Sequence, residues 1–389
     1  MLGIGASIGF DNALIYLDHN ATTPVLPEVL EAMLPWFSSQ WGNPSSIHGP
    51  GRAARRAIEE ARGKVARLVG ARPEQIVFTS GATEANNSAI HSAMLCDPSK
   101  RHVVTSTVEH SAVLAFCDYL ERHHRVEVTR LPVNMDGMLS ISDLRNAIRP
   151  DTAVVSLMWA NNETGVIWPV TEYSEICAKR GVPLLTDAVQ AVGKIAVDFK
   201  ESGASFLSLS GHKFGAPKGI GALVVARPHD FTPLIVGGKQ ELGHRGGTEN
   251  VAGIVALGMA AEIACTRGAD AWDKAAKLRD TFERTLLERI PGATINGAAN
   301  KRLPNTSNLY LPGSDGDALV TFMDQQGICI SSGSACLESA ITPSHVILAM
   351  SESHDRAGES VRVSLGLEST QSDLEVFADA LEAFIAITA

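Results

Sequence analysis

Leu209-Ser210-Gly211-His212-Lys213 closes an apolar run that begins at Ser205 and then delivers an amine. A lysine is a useful nucleophile or base only when its pKa is lowered or it is held as a Schiff base. Alone, Ser-x-His-Lys would be a surface lysine after a strand. Its company suggests more. Ser80-Gly81-Ala82-Thr83-Glu84 follows the β-rich run Gln75–Thr79 and opens a helical stretch, Ala85–Met94. Small residues at a helix N-terminus let backbone N–H groups approach an anion such as a single phosphate. They would equally make a capping box, with Ser80 or Thr83 as N-cap.

Three further motifs end β-rich runs. Val108-Glu109-His110-Ser111 follows His102–Ser106, and a histidine there can stack on a planar heteroaromatic or serve as acid or base. Asn161-Asn162-Glu163-Thr164-Gly165 follows Ala153–Trp159 and by itself would be a turn. Val182–Thr186 leads to Asp187-Ala188-Val189-Gln190. Asp187 could keep a pyridine nitrogen protonated while Gln190 donates to a phenolic oxygen of the same ring; alone, Asp187 would be a helix N-cap. Each motif is ambiguous. Five in order, each at the end of a strand, argue against coincidence.

The elements that must position these residues alternate. From about Gln75 to Val225 short β-rich runs, the last at Gly221–Val225, are separated by helical stretches. That pattern predicts an α/β fold with a mainly parallel central sheet flanked by helices. Such sheets bind ligands beyond the carboxyl ends of their strands. From about Arg267 the pattern becomes a long helical stretch (Asp270–Arg289), short strands near Thr294, Asn308–Leu311 and Val361–Ser364, and a last helix from about Ser372. The expected organisation is an arm (1–17) joining the small domain, a large cofactor-binding domain (18–266) and a smaller α+β C-terminal domain (267–389).

Composition narrows the classes. Of 389 residues, 45% are hydrophobic and 20% charged, as in a soluble globular protein. The net charge of −10 argues against nucleic acid or an anionic membrane surface as partner. No apolar run approaches the ~18 residues a membrane span needs, so no span is expected. MLGIGASIGF has no basic n-region and is expected to be a loose arm or a misassigned start rather than a signal peptide. Six scattered cysteines without C-x-x-C or zinc spacing fit a cytoplasmic protein with reduced thiols.

With these motifs in hand, the chain from Tyr16 onward resembles the pyridoxal-phosphate cysteine desulfurases of the NifS/IscS type, in the aminotransferase-like fold type I. The resemblance also rests on Tyr16–Thr23, Gly42–His48, Gly246-Gly247-Thr248-Glu249-Asn250 and Ser331–Cys336. It implies pyridoxal 5'-phosphate as cofactor, with Lys213 as its Schiff-base lysine. Ala82, Thr83, Ser210 and His212 would hold the phosphate, and Thr248 would reach it from the second subunit of a homodimer. Asp187, Gln190 and Asn162 would contact the ring, with His110 stacked on it. Asn162 rather than Asn161 takes the family's position, three residues before Gly165. Arg362, otherwise a surface arginine in a short strand, would bind the α-carboxylate of L-cysteine, a task suited to its fork geometry.

Cys336 sits among small polar residues, Ser331-Ser332-Gly333-Ser334-Ala335, which favour mobility and a reactive thiol over a packed one. By the resemblance, Cys336 takes sulfur from L-cysteine as a persulfide, leaving alanine, and passes it to an iron–sulfur scaffold protein. It could also ligate, transiently, a cluster shared with that scaffold. The long segment between Cys336 and Arg362 resembles the long-loop branch, and Met158–Gly165, Asp187–Gln190 and Gly247–Asn250 look closer to the nitrogen-fixation type than the housekeeping type. Leu337-Glu338 departs from the smaller polar residues expected after the cysteine. An aminotransferase would have no use for the loop thiol. A selenocysteine lyase would use the same residues. A non-catalytic scaffold would not need Lys213, Asp187, His110 and Cys336 together, and the spacings do not suit a metal-binding protein.

Overall fold

In the computed structural model residues 14–333 and 343–388 are described. A short N-terminal strand β1 (Ile15–Tyr16) precedes the strands of the main sheet: β2 (Ile76–Thr79), β3 (His102–Ser106), β4 (Glu127–Leu131), β5 (Thr152–Ser156), β6 (Leu184–Asp187), β7 (Phe206–Ser210) and β8 (Gly221–Val225). The seven run in the order β2-β8-β7-β6-β5-β3-β4. β8 is antiparallel to both neighbours, β2 and β7, and the others pair parallel. The carboxyl ends of β2, β3, β5, β6 and β7 therefore meet along one edge.

Sequence explains the burial. β3, β5, β7 and β8 are fully buried runs rich in Val, Leu, Ala and small polar residues, as expected of strands covered on both faces. Two apolar clusters cover the sheet. One includes Val104, Leu157, Leu184, Leu207 and Ala260; the other includes Val77, Ile90, Val103, Val113 and Leu185. The helix Gly49–Leu68 adds Ile58, Ala61 and Val65 to the first.

The remaining strands are β9 (Thr294–Ile295), β10 (Thr306–Tyr310), β11 (Ile328–Cys329) and β12 (Ser360–Ser364). β12, β10 and β9 form an antiparallel sheet, and β1 pairs parallel with β11. They share a separate cluster built from Leu17, Phe282, Leu309, Val361, Val363, Phe377 and Leu381. Asp18 bridges to Ser364, tying the N-terminal segment to β12.

Three expectations change. The strand β4 was not anticipated; its mixed, mostly half-buried sequence Glu-Val-Thr-Arg-Leu is that of a sheet edge. The helical stretch expected from Asp270 belongs to a run spanning Val251–Arg289, interrupted at Gly268, where φ is 63°. Only glycine takes that conformation readily, so the chain re-aims there. Third, Val251–Gly268 is long and apolar enough to cross a membrane, contrary to the reading of the sequence. Ala and Gly interrupted by Glu262 hid it, and in this fold Ile254, Ala256, Leu257, Ala260 and Ala261 are core residues.

Candidate active site

β7 ends at Ser210, and a single 3-10 turn, Gly211–Lys213, turns the chain so that Lys213 stands beyond the sheet edge. Its Nζ donates to the backbone carbonyls of Asn20 at 2.6 Å and Ala21 at 2.7 Å. The N-terminal segment is thus folded back over the strand ends. His212 in the same turn shares a 3.1 Å hydrogen bond between Nδ1 and Thr22 Oγ1. Burial, aided by the nearby Lys213 amine, lowers its pKa to about 4, so the ring is neutral at pH 7.

Asp187 is the last residue of β6 and is buried. Its Oδ2 accepts from Asn86 Nδ2 at 2.7 Å and its Oδ1 from the Val189 N–H at 3.0 Å. A buried carboxylate held by neutral donors keeps acceptor capacity for a protonated ring nitrogen. Its backbone-capping bond is the N-cap-like role considered from sequence, so the two roles coexist.

His110 caps the helix Ser111–His124, with Nδ1 accepting from the Ala112 N–H at 3.1 Å. That bond places the proton of the neutral ring on Nε2. Burial lowers the His110 pKa. Asn161 is consumed by its own turn: Oδ1 accepts from the Glu163 and Thr164 N–H groups and Nδ2 donates to Val108 O. Asn162 takes no part in that turn's side-chain bonds and is half-buried, which favours it over Asn161 for ligand contact.

The helix Ala82–Cys96 begins at Gly81, with no side-chain cap. Glu84 is occupied instead by the Ser80 N–H at 2.9 Å and by Arg245 at 3.0 Å. The expected Ser80 or Thr83 cap is therefore not formed, and the opening N–H groups of the helix have no intrahelical acceptor. A Cβ on Gly221 would stand 2.8 Å from Gly81 Cα and 2.5 Å from Leu209 O, so glycine there lets the helix start press against the first residue of β8, beside the end of β7. Thr83 and Thr248 are exposed.

Arg362 corrects the surface reading: it is 2% exposed. It lies mid-strand in β12, where the guanidinium donates from Nη2 to Asp18 Oδ1 at 2.7 Å and from Nη1 to Asn162 O at 3.1 Å. Its Nε is buried without a partner. Gln190, expected to face a ring oxygen, is buried with Nε2 donating to Asn20 O at 3.0 Å and Oε1 accepting from Lys194 at 2.7 Å; one Nε2 proton remains.

Asn20 joins these parts. Its carbonyl serves Lys213 and Gln190, its Nδ2 donates to Asn162 O at 3.1 Å and Thr306 Oγ1 at 2.9 Å, and its Oδ1 accepts from Lys194 at 2.8 Å. Sequence reasoning gave Asn20 and Lys194 no role. The only signal for Lys194 is a lysine four residues after Gln190 in an apolar stretch, Ala191-Val192-Gly193. Cys336 lies outside the described residues.

Unpaired helix-opening N–H groups for a phosphate, a neutral-donor carboxylate for a ring nitrogen, a lysine amine and an unpartnered arginine Nε suit pyridoxal phosphate with an amino acid beside it. The comparisons agree. Residues 15–377 match the model of the aminotransferase class-V family. The cysteine desulfurase of Cereibacter sphaeroides is 49% identical over 362 residues, 93% of each chain. A solved NifS-like protein superposes with a TM-score of 0.89 at 34% identity, covering 96% of this chain and 100% of that one. A structure of SspA in complex with cysteine gives 0.81 at 37% identity over 92% and 100%. The chain thus belongs to the class-V aminotransferases and, within them, to the pyridoxal-phosphate cysteine desulfurases.

Proposed function

We propose that this chain converts L-cysteine to L-alanine and stores the released sulfur as a persulfide on Cys336. The observation that carries the reading is the link from Arg362 to Lys213. The guanidinium meets Asn162 O at 3.1 Å, Asn162 O meets Asn20 Nδ2 at 3.1 Å, and Asn20 O meets the Lys213 amine at 2.6 Å. A carboxylate-binding cation and a proton-transferring amine are thereby tied to the same buried residue, Asn20.

Ala82, Thr83, Ser210 and His212 would hold the cofactor phosphate, with Thr248 contributed by a second subunit, and Asp187, Gln190, Asn162 and His110 would hold its ring. When bound, pyridoxal phosphate draws electrons from the substrate's Cα, which makes the Cβ–S bond labile. Arg362 fixes the carboxylate, its Nε supplying a donor that is otherwise unmatched. The Lys213 amine removes the Cα proton. The Cys336 sulfur then attacks the substrate sulfur: the S–S bond forms, the C–S bond breaks, and its electron pair stays with carbon. Protonation of that carbon and return of a proton to Cα complete alanine, and cysteine plus thiol has become alanine plus persulfide.

The finer assignments are a homodimer, a cytoplasmic setting, and sulfur delivery to an iron–sulfur scaffold of the nitrogen-fixation type. Exposed Phe37, Trp41, Ile47 and Val236 support a subunit interface, as does Thr248 lying exposed. The described cysteines are all free, in keeping with a reducing compartment. The division near residue 266 is supported by the break at Gly268 and by the separate apolar cluster that includes Leu17.

The test is to incubate purified protein with L-cysteine and a thiol reductant. Alanine and sulfide are expected in equal amounts, with no turnover in Cys336→Ala. Undiminished products in Cys336→Ala would remove the persulfide, and pyruvate as main product would indicate another lyase.

A further inference from the structure

Lys194 is buried at 3% exposure, yet among the described residues no carboxylate reaches it. Nζ donates to Asn20 Oδ1 at 2.8 Å and to Gln190 Oε1 at 2.7 Å. Those orientations are forced. Gln190 Nε2 meets a backbone carbonyl, Asn20 O, which can only accept, so Oε1 must face Lys194. Asn20 Nδ2 likewise meets Asn162 O, and Asn305, which donates to Leu365 O, also points Nδ2 at Asn20 Oδ1. Lys194 therefore sits where two amide oxygens converge, each belonging to a residue in contact with the site.

We propose that Lys194 is a positioning residue for the reaction: it holds Gln190 with its amide N–H toward the cofactor ring and holds Asn20 under the Lys213 amine. This rests on the reading of Lys213 as the cofactor-bearing lysine. The charged and titratable groups facing the assembly are Lys213, His212 and Lys218 from and after the turn that follows β7, Asp187 at the end of β6, His110 ahead of the helix Ser111–His124, Arg362 from β12, and Asp18 and His19 from the N-terminal segment. Burial, with Lys213 and Arg362 adding repulsion, lowers the Lys194 pKa well below the usual lysine range. A donor fixed on the ring oxygen disfavours a proton on the lysine nitrogen, and the contact from Lys194 is what fixes Gln190, so removing Lys194 lets that proton bind more tightly.

The experiment titrates the absorbance of holoenzyme without L-cysteine, comparing wild type with Lys194→Met and Lys194→Gln. We expect the pH midpoint to rise by at least about half a unit in Lys194→Met and by less in Lys194→Gln, which retains a donor. With L-cysteine, kcat should fall about tenfold in Lys194→Met while KM changes less than about twofold. A midpoint unchanged in both variants, whatever the thermal stability does, overturns the proposal. If Lys194→Met does not fold, Lys194→Gln alone decides by the same midpoint. A wild type with the cofactor chromophore but no alanine or sulfide fails the functional reading and leaves this test standing.

Discussion

At the start of the helix Ala82–Cys96 the groups proposed to hold phosphate come from one short stretch, Gly81–Thr83, plus Ser210 and His212, and Thr83 is exposed. Around Asn20 the polar groups come from seven residues far from it in sequence, 162, 190, 194, 213, 305, 306 and 364, all joined to one buried side chain or its backbone. The first region is built by local backbone geometry and can lose a side chain and keep its N–H groups. The second is a closed network in which each donor has an assigned acceptor, so losing one member strands several others. Affinity for an anion should therefore be robust at the helix start, and both stability and proton transfer fragile at Asn20.

The sharpest way to break this contrast is at Lys213. Lys213→Ala removes the amine and its bonds to Asn20 and Ala21, and we expect turnover to fall at least about a thousandfold. The cofactor absorbance of wild type should be lost with it, as read in a simple spectrum. Residual turnover within tenfold of wild type would mean that another group moves the proton. Next in size is Asn20→Ala, which leaves the Lys194 amine without one acceptor and Asn305 Nδ2 without another. A cost of about 3 kcal/mol in urea unfolding is expected, because buried polar groups are stranded together. A cost below about 1 kcal/mol would show the network to be loosely coupled.

The same contrast governs what the sequence made legible. β3 and β8 coincide with their β-rich runs, and the five strand-end motifs do meet along one edge, since buried strands declare themselves by composition and their ends by a change to polar residues. The burial of Arg362 could not be read from its own strand, since its partner Asp18 is 344 residues away. Asn20 and Lys194 drew no assignment for the same reason, since their partners are set by tertiary folding and an Asn or Lys alone is a surface residue by default. The edge strand β4 was overlooked because its mixed sequence lacks both alternation and an apolar run.

Glu109 tests whether a buried group with local partners behaves like the Asn20 network. Its Oε1 accepts from Ser106 Oγ at 2.9 Å and the Met158 N–H at 3.0 Å, while Oε2 is buried with no partner. Burial raises its pKa from 4.5 to about 8. The folded state then binds more protons than the unfolded state between those values, so this group's contribution to stability declines as pH rises from about 4.5 to about 8. Glu109→Gln keeps the shape and removes the titration. It should be more stable than wild type at pH 8 by about 1–3 kcal/mol, and the difference should vanish near pH 4.5. Thermal melts across that range measure it, and a difference independent of pH would mean the carboxyl is ionised in the fold.

The smallest effect should come from the exposed end. Thr83→Ala removes one hydroxyl from the opening turn of the helix Ala82–Cys96 but leaves the N–H groups, the Gly81–Gly221 contact and the Arg245–Glu84 pair in place. One hydrogen bond to a charged group contributes about 1–2 kcal/mol, so apoprotein should bind pyridoxal phosphate about five- to thirtyfold more weakly. Urea stability of the apoprotein should stay within about 0.5 kcal/mol of wild type, because an exposed threonine at a helix start packs against little. Fluorescence titration with the cofactor, beside the unfolding curve, reads both quantities. A loss of apoprotein stability as large as that of Asn20→Ala would erase the distinction between the two regions, since it would make the helix start part of the same cooperative network.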